Sequence, residues 1–298
     1  MKRSVLSLGF AATFVAGTLA ASGAPASATT DTTPPSLSIA KYTPFVIGGQ
    51  VNTYPEGDGA LESDAPVHFT WRSSDASGIC DTFLWQETRG DGPGRASYRD
   101  PTLNSWSDIV NDNDDVGGGW QLDGWWVEVR DCAGNQTNRW VRGGRPVFTQ
   151  DTGEYGGNFA DDTTISYSSR NWSISNCTCW SAGTTHKTFT AGASATISHT
   201  VVDTGEHLAL VMEKAPDRGK FKVLIDGVYK TTVDTYSPTK RHRTIVWQTS
   251  FTTKGAHKVK IVNLATAGRP RLDLDAVITQ LPQSPDAPPS CADDPGVC

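Results

Sequence analysis

Methionine and long apolar stretches are scarce in this chain, which has two Met among 298 residues. Few methionines beside abundant Thr, Ser, Val, Gly and Trp argue against a helical bundle or a coiled coil. Because 37% of the residues are hydrophobic and 19% are charged, the composition also excludes a chain that is disordered throughout. The composition therefore predicts an all-β protein.

The chain also lacks the short motifs of the common enzyme classes. It contains no Gly-x-Ser-x-Gly, no His-Glu-x-x-His, no P-loop and no Rossmann glycine pattern. Asp273 and Asp275 are suitably spaced for a glycosidase, but neighbours on one strand face point in parallel and cannot straddle a glycosidic bond. We therefore predict no catalytic residues, with a hydrolase of carbohydrate or cell wall as the alternative.

The first residues have the pattern of a secretory signal peptide. A basic pair precedes an apolar run over residues 5–20, and Ala-Ser-Ala at residues 26–28 suits a signal peptidase. The run is shorter than the roughly 20 residues that span a bilayer. We predict a Sec-type signal peptide over residues 1–28, cleaved after Ala28, and a secreted, extracellular protein without a membrane anchor.

Net charge divides the remaining chain into two parts. Residues 29–162 carry 9 Lys and Arg against 21 Asp and Glu, whereas residues 163–281 carry 15 against 8. The sign changes in a Gly-rich stretch, so we predict a β-sandwich over residues 29–150, a linker over 151–162 and a second sandwich from residue 163 to 281. Residues 282–298 are rich in proline and predict a tail without regular structure.

Alternation of apolar and polar residues predicts the strands. In the second part, residues 220–225 and 228–233 alternate around an Asp-Gly pair, which predicts a hairpin. The last strand, over residues 272–278, places Asp273 and Asp275 together on the face opposite the buried one.

Three motifs of the first part carry a family resemblance. They are the Asp-Thr-Thr-Pro-Pro lead at residues 31–35, the Ser-Asp-Ala-Ser-Gly-Ile segment at 74–79 and Asp-Cys-Ala-Gly-Asn at 131–135. Through them, residues 31–145 resemble the bacterial immunoglobulin-like domains of secreted proteins. The resemblance implies an immunoglobulin-like β-sandwich that serves as a spacer.

The second part resembles the galactose-binding-like jelly rolls, of the carbohydrate-binding-module type, in exported bacterial proteins. The resemblance lies in residues 218–227, 236–237, 257–261 and 273–276. It implies a jelly-roll sandwich, and it implies binding to a sugar or a cell surface as the commonest role. The fold class we predict is thus all-β, with two tandem sandwiches.

Aromatic and basic side chains of the second part predict the ligand site. The predicted ligand-binding residues are Trp180, Tyr236, Lys240, Arg241, Arg243 and Trp247. The rings suit a pyranose, although core packing is the commoner use of a Trp. The cations would attract an anionic cell-wall polymer. We predict a monomeric, noncatalytic protein that binds a glycan or such a polymer and no specific nucleic acid; a structural or adhesive surface protein is a further alternative.

The six cysteines predict disulfides, because the chain is expected to be exported. Separation along the chain favours three pairs, which are Cys80–Cys132, Cys177–Cys179 and Cys291–Cys298. The resemblance places the first two cysteines at loops at one end of the sandwich. The pairing of the other four stays open.

One acidic segment is faintly similar to a calcium loop. Asp112, Asp114 and Asp123 lie near the first, third and twelfth positions of such a loop, but Val116 occupies the fifth. An acidic surface turn is the alternative. A structural calcium ion is the one cofactor that the sequence suggests.

Overall fold

The computed structural model describes residues 31–55, 61–88, 98–111, 122–142, 146–152, 155–156, 163–168 and 171–280. The predicted signal peptide, the predicted proline-rich tail with its two cysteines, and Asp112 and Asp114 lie outside these residues. Asp123 lies in a strand. Among the described residues, no helix is long and apolar enough to cross a membrane.

The described chain folds into strands joined by turns, with one short 3-10 turn at Ser181–Gly183, which confirms the all-β prediction. In chain order the strands are β1 (Ser36–Thr43), β2 (Asn52–Pro55), β3 (Leu61–Ser74), β4 (Ile79–Thr88), β5 (Tyr98–Arg99), β6 (Ser105–Asn111), β7 (Leu122–Asp131), β8 (Gln136–Arg142), β9 (Pro146–Gln150), β10 (Tyr155–Gly156), β11 (Thr164–Tyr167), β12 (Ser173–Asn176), β13 (Thr184–Thr188), β14 (Ser194–Val201), β15 (His207–Lys214), β16 (Lys220–Ile225), β17 (Val228–Asp234), β18 (Arg241–Ser250), β19 (Gly255–Asn263), β20 (Leu272–Leu274) and β21 (Ala276–Gln280).

The first part contains two four-stranded sheets that share a core. One sheet holds β1, β3 and β2 with β6 on β3, and the other has the order β5-β4-β7-β8. Alternate residues of β3, among them Val67, Phe69 and Trp71, are buried against alternate residues of β7 such as Trp125 and Val127. Period-two alternation of large apolar side chains therefore holds the two sheets together.

The second part has two five-stranded sheets and a smaller one. We call β10-β9-β21-β15-β18 the covered sheet and β11-β14-β19-β16-β17 the open sheet; β12, β13 and β20 form the third sheet. Leu208, Leu210 and Met212 of β15 pack with Phe221 and Val223 of β16 in the core between the covered and open sheets. Strand β17 is an edge strand of the open sheet, and β18 is an edge strand of the covered sheet.

The covered sheet takes its name from the first part, which packs on its outer face. Ala209, Val211, Ile245, Ala276 and Ile278 of this sheet belong to the same buried apolar cluster as the core of the first part. The described residues from Thr32 to Gln280 accordingly form one compact unit.

Backbone hydrogen bonds reinforce this apolar contact. The N–H of Gly48 donates to the carbonyl of Ile245, and the N–H of Val51 donates to the carbonyl of Arg243, each at 2.8 Å. The segment between β1 and β2 thus forms hydrogen bonds with backbone groups at the edge of β18 that would otherwise be unpaired.

The strand β9 joins the second part although it precedes the predicted linker. Its residues Pro146–Gln150 pair with β21 along the whole strand, from Gln150 opposite Ala276 to Pro146 opposite Gln280. The predicted boundary at residue 150 therefore leaves one strand of the covered sheet on the wrong side.

The hairpin β16–β17 follows the prediction from the Asp-Gly pair. Asp226 has φ 51° and Gly227 has φ 81°. Positive φ at both central residues is the requirement of a type I′ turn, whose twist matches that of the flanking strands.

The predicted last strand is interrupted, and this changes the position of its acids. β20 pairs with β13 in the small sheet and β21 pairs with β15 in the covered sheet, so the chain changes sheet at Asp275. Asp273 and Asp275 are both buried. The expectation that both acids lie on a face opposite the buried one was wrong, because a strand that crosses between sheets is covered on both sides.

Two of the three predicted disulfides are present. Cys80 bonds to Cys132, and Cys177 bonds to Cys179. These bridges include every cysteine in the described part of the chain.

Candidate functional site

The residues predicted to bind a ligand have different surroundings in the structure. Trp180 is only 4% exposed, and the imidazole of His242 meets it edge-on with ring centres 5.3 Å apart. Tyr236 is 46% exposed, but the guanidinium of Arg269 lies 4.8 Å from its ring centre. The Trp180 ring is therefore packed in the interior, and a cation occupies one face of the Tyr236 ring.

The basic residues near the start of β18 connect parts of the fold. Arg241 donates to the carbonyl of Gly48, in the first part. Arg243 donates from Nε to the carbonyl of Cys179 at 3.0 Å and from Nη2 to that of Thr178 at 3.1 Å. Much of the hydrogen-bonding capacity of these two guanidinium groups is thus directed at backbone oxygens.

Trp247 occupies a different place, in a groove of about 400 Å³ lined by the β16–β17 hairpin, the end of β18 and the segment that follows. Its ring is partly buried against the core between the two large sheets. We call this depression the Trp247 groove. Its hydroxyl groups come from Thr231, Thr249, Ser250, Thr252 and Thr253.

The end of the groove is fixed by a contact between a carboxylate and an imidazole. Asp226 Oδ2 lies 2.7 Å from His257 Nδ1, and Asp226 Oδ1 accepts the N–H of Lys258 at 2.8 Å. The hydrogen bond from His257 and that backbone N–H lower the pKa of Asp226. Because the charged form receives these bonds, the carboxylate stays ionised at neutral pH.

The His257 ring is held from its other side as well. Its Nε2 lies 3.0 Å from the carbonyl oxygen of Thr253, and its ring stacks on Phe251 with centres 4.9 Å apart. Phe251 is buried in the core. The segment from β18 to β19 is thereby anchored to the hairpin, so the groove has a defined wall.

The polar chemistry of the groove is mixed. Hydroxyls can donate and accept hydrogen bonds, as the hydroxyls of a sugar do. Lys230 contributes a cation, while the amide nitrogen of Gln248 donates at 2.6 Å to the carbonyl of Phe45 in the first part. The groove therefore combines the indole of Trp247, the rings of Phe251 and His257, several hydroxyls, one lysine and one carboxylate.

Sequence reasoning identified Trp247 but missed the residues around it. The Asp-Gly turn locates Asp226, yet its partner His257 is 31 positions away. No local pattern relates the two positions, because their contact follows from the pairing of β16 with β19.

A second groove, of about 700 Å³, lies in the first part. Ser36, Ser38, Arg72 and Asn104 line it together with Trp71. Trp71 is a core residue that is 3% exposed. This groove consequently offers hydroxyls and a guanidinium but no open aromatic face.

Three more tryptophans form a row across β4, β7 and β8. Trp85 is opposite Trp126, and Trp126 is opposite Trp140, on the face away from the core. Adjacent ring centres are 6.2 and 5.1 Å apart. Trp140 is buried, so the row is partly enclosed.

A buried charged network stabilises the second part away from the groove. Arg218 is 2% exposed and pairs with Glu213, Asp217 and Asp273, while Arg271 also contacts Asp273 at 2.8 Å. Burial raises the pKa of Asp273, although both arginines oppose this shift. These two arginines therefore serve packing, and they are not part of a free basic surface.

No protein-family model and no curated protein sequence matches the chain. The solved structures similar to it include carbohydrate-binding modules. CBM35 from Cellvibrio japonicus Abf62 is 14% identical and covers 43% of this chain and 96% of its own, with a TM-score of 0.32. A carbohydrate-binding module CBM36 in complex with calcium and xylotriose is 11% identical and covers 39% of this chain and 98% of its own, with a TM-score of 0.28.

Glycoside hydrolases also occur among the similar structures. An exo-β-1,3-galactanase from Phanerochaete chrysosporium is 13% identical and covers 77% of this chain and 56% of its own, with a TM-score of 0.33.

Proposed function

We propose that this chain is a noncatalytic glycan-binding protein and that the Trp247 groove holds the sugar. The observation that carries the proposal is an indole ring seated against the core and surrounded by hydroxyl groups. A sugar ring has a weakly apolar face and a hydroxylated edge, so it needs both kinds of contact. Because core packing restrains the indole, little conformational freedom is lost on binding.

The carboxylates support binding over hydrolysis. Most glycosidases need two carboxyl groups on opposite sides of the scissile bond, about 5 to 9 Å apart. Asp226 is the one carboxylate in the described lining of the groove, and it is already bound by His257 and the N–H of Lys258. Asp273 and Asp275 are buried elsewhere.

The test is binding of the full chain to an array of neutral oligosaccharides, followed by calorimetry with the best ligand. We expect Trp247→Ala to weaken binding about tenfold or more, since a stacked ring contributes about 1 kcal/mol beyond its buried area. Tyr229→Ala is the matched control, because this exposed tyrosine lies on the same hairpin but does not line the groove.

Three results would count against the proposal. One is that the wild-type chain binds no neutral glycan on the array. Another is that Trp247→Ala binds as tightly as Tyr229→Ala while both keep the wild-type melting temperature. The third is release of reducing ends from the bound glycan, which would favour the hydrolase alternative.

A further inference from the structure

The outer face of the open sheet is available to a ligand, unlike that of the covered sheet. On β16, Lys220 and Lys222 are exposed and alternate with buried Phe221 and Val223. On β19, lysines 258 and 260 are likewise exposed and alternate with buried residues. Four lysines of adjacent strands therefore point away from the core on one face.

Strand register arranges these lysines in a line. Lys222 is opposite Val262 and Lys260 is opposite Leu224, so successive rows of the two strands carry one lysine each. Lys220 precedes this pair of rows on β16 and Lys258 follows it on β19. At about 3.4 Å per residue, the rows are roughly 7 Å apart and the four lysines span about 20 Å. We call them the lysine stripe.

The charge of the stripe is poorly compensated. Lys220 lies 3.9 Å from a carboxylate oxygen of Asp234. For Lys222, Lys258 and Lys260, no carboxylate among the described residues lies within salt-bridge distance. Like charges about 7 Å apart are closer than the Debye length of about 10 Å at 0.1 M salt, so they repel one another.

The neighbouring strand adds hydrogen-bonding groups to the same face. Thr196 is opposite Lys260 and Ser198 is opposite Lys258 on β14. On the other side of the stripe, Tyr229 is opposite Leu224 and is 55% exposed. Hydroxyls and a phenol ring beside the cations suit a chain of sugar rings that carry negative charges.

We propose that the lysine stripe binds a linear acidic polysaccharide along its length. Such a polymer offers charges at regular intervals, which relieve the repulsion among the lysines. Lysine ammonium groups act as point charges, whereas arginine imposes planar, two-pronged geometry. A face with lysines alone therefore suits a polymer held in several registers. This inference concerns a surface separate from the Trp247 groove and goes beyond neutral-glycan binding.

The experiment measures binding of the full chain to polygalacturonate at 0.1 M and 1 M salt. The test variant is the triple substitution Lys222→Gln, Lys258→Gln and Lys260→Gln. The matched control replaces three exposed basic residues outside the stripe by Gln, and these are Lys41, Arg139 and Lys254. Both variants lose the same net charge.

We expect the stripe variant to bind at least tenfold more weakly at 0.1 M salt and the control to change by less than about twofold. Wild-type binding should fall steeply at 1 M salt, where the Debye length is about 3 Å. Trp247→Ala should leave polygalacturonate binding unchanged, so this inference and the groove proposal can fail separately.

Three outcomes would overturn the inference. Wild-type chain that does not bind polygalacturonate at 0.1 M salt would show that the stripe is only a solvated face. If both triple variants lose affinity for polygalacturonate equally, net charge alone attracts the polymer. Single-stranded DNA that binds as tightly as polygalacturonate would show a general polyanion surface and not a polysaccharide site.

Discussion

At the scale of single residues, burial determines what the acidic side chains of the second part do. Asp275 is fully buried, and its Oδ1 accepts the N–H of Ser181 at 2.8 Å. Burial raises the pKa of Asp275 well above its usual value, and the charges of Asp151 and Asp273 add to the shift. The bond from Ser181 and the charge of Arg243 oppose it without cancelling it.

This shift predicts a pH dependence of stability. The folded chain keeps the Asp275 proton to a higher pH than the unfolded chain does. The associated stability is therefore complete below about pH 4 and is lost as the pH rises through the folded-state pKa. Asp275→Asn keeps an oxygen for Ser181 and removes the titration.

We expect the melting temperature of Asp275→Asn, relative to wild type, to rise between pH 4 and pH 8. Asp203→Asn is the control, because Asp203 is exposed and pairs with Lys254 at the surface. Parallel pH profiles for wild type and Asp275→Asn would contradict the raised pKa.

At the scale of elements, β9 shows how pairing, and not position in the chain, assigns a strand to a sheet. In the chain, β9 follows β8, the last strand of the first part, yet it pairs with β21 of the second part. Phe148 of β9 is fully buried in the apolar cluster that both parts share. Removing this strand would leave β21 with an unpaired edge.

A truncation series tests the role of β9. We expect a chain of residues 146–281 to melt about 10 °C or more above a chain of residues 163–281, because the shorter chain loses the five residues that pair with β21. Thermal unfolding followed by circular dichroism measures this difference. Equal melting temperatures, or a more stable shorter chain, would show that β9 contributes nothing to the second part.

At the scale of the whole molecule, one apolar cluster joins the first part to the covered sheet. Phe45 is fully buried in this cluster, and its carbonyl accepts a hydrogen bond from Gln248 of β18. The two parts therefore share buried contacts of the kind that make unfolding cooperative.

We expect the full chain to unfold in a single calorimetric transition. Phe45→Ala should lower its midpoint by roughly 10 °C, because removing a buried phenylalanine costs about 3 to 5 kcal/mol. Ile47→Ala is the control, since this nearby residue is 59% exposed and should change the midpoint little. Two resolved transitions, with Phe45→Ala shifting only one, would show that the parts unfold independently.

Local patterns in the sequence determined the strand content and some of the turns. Alternation over residues 220–233 and the Asp-Gly pair fix the hairpin, since side-chain direction and φ preference are properties of adjacent residues. Spacing also favoured the Cys80–Cys132 bridge, whereas it left the pairing of Cys177 and Cys179 open. Lysines 220, 222, 258 and 260 alternate with buried residues in the same way and face outward.

The tertiary structure alone decided which outward or polar residues stay free. Arg218 lies two positions before the exposed Lys220, but it is buried among carboxylates from other strands. Arg241 reaches a carbonyl 193 positions away. Contacts of this kind depend on sheet order and register, because residues distant in the chain meet only after the strands have paired. The sequence thus determined the elements and the supply of charge, whereas packing selected the groove and the stripe.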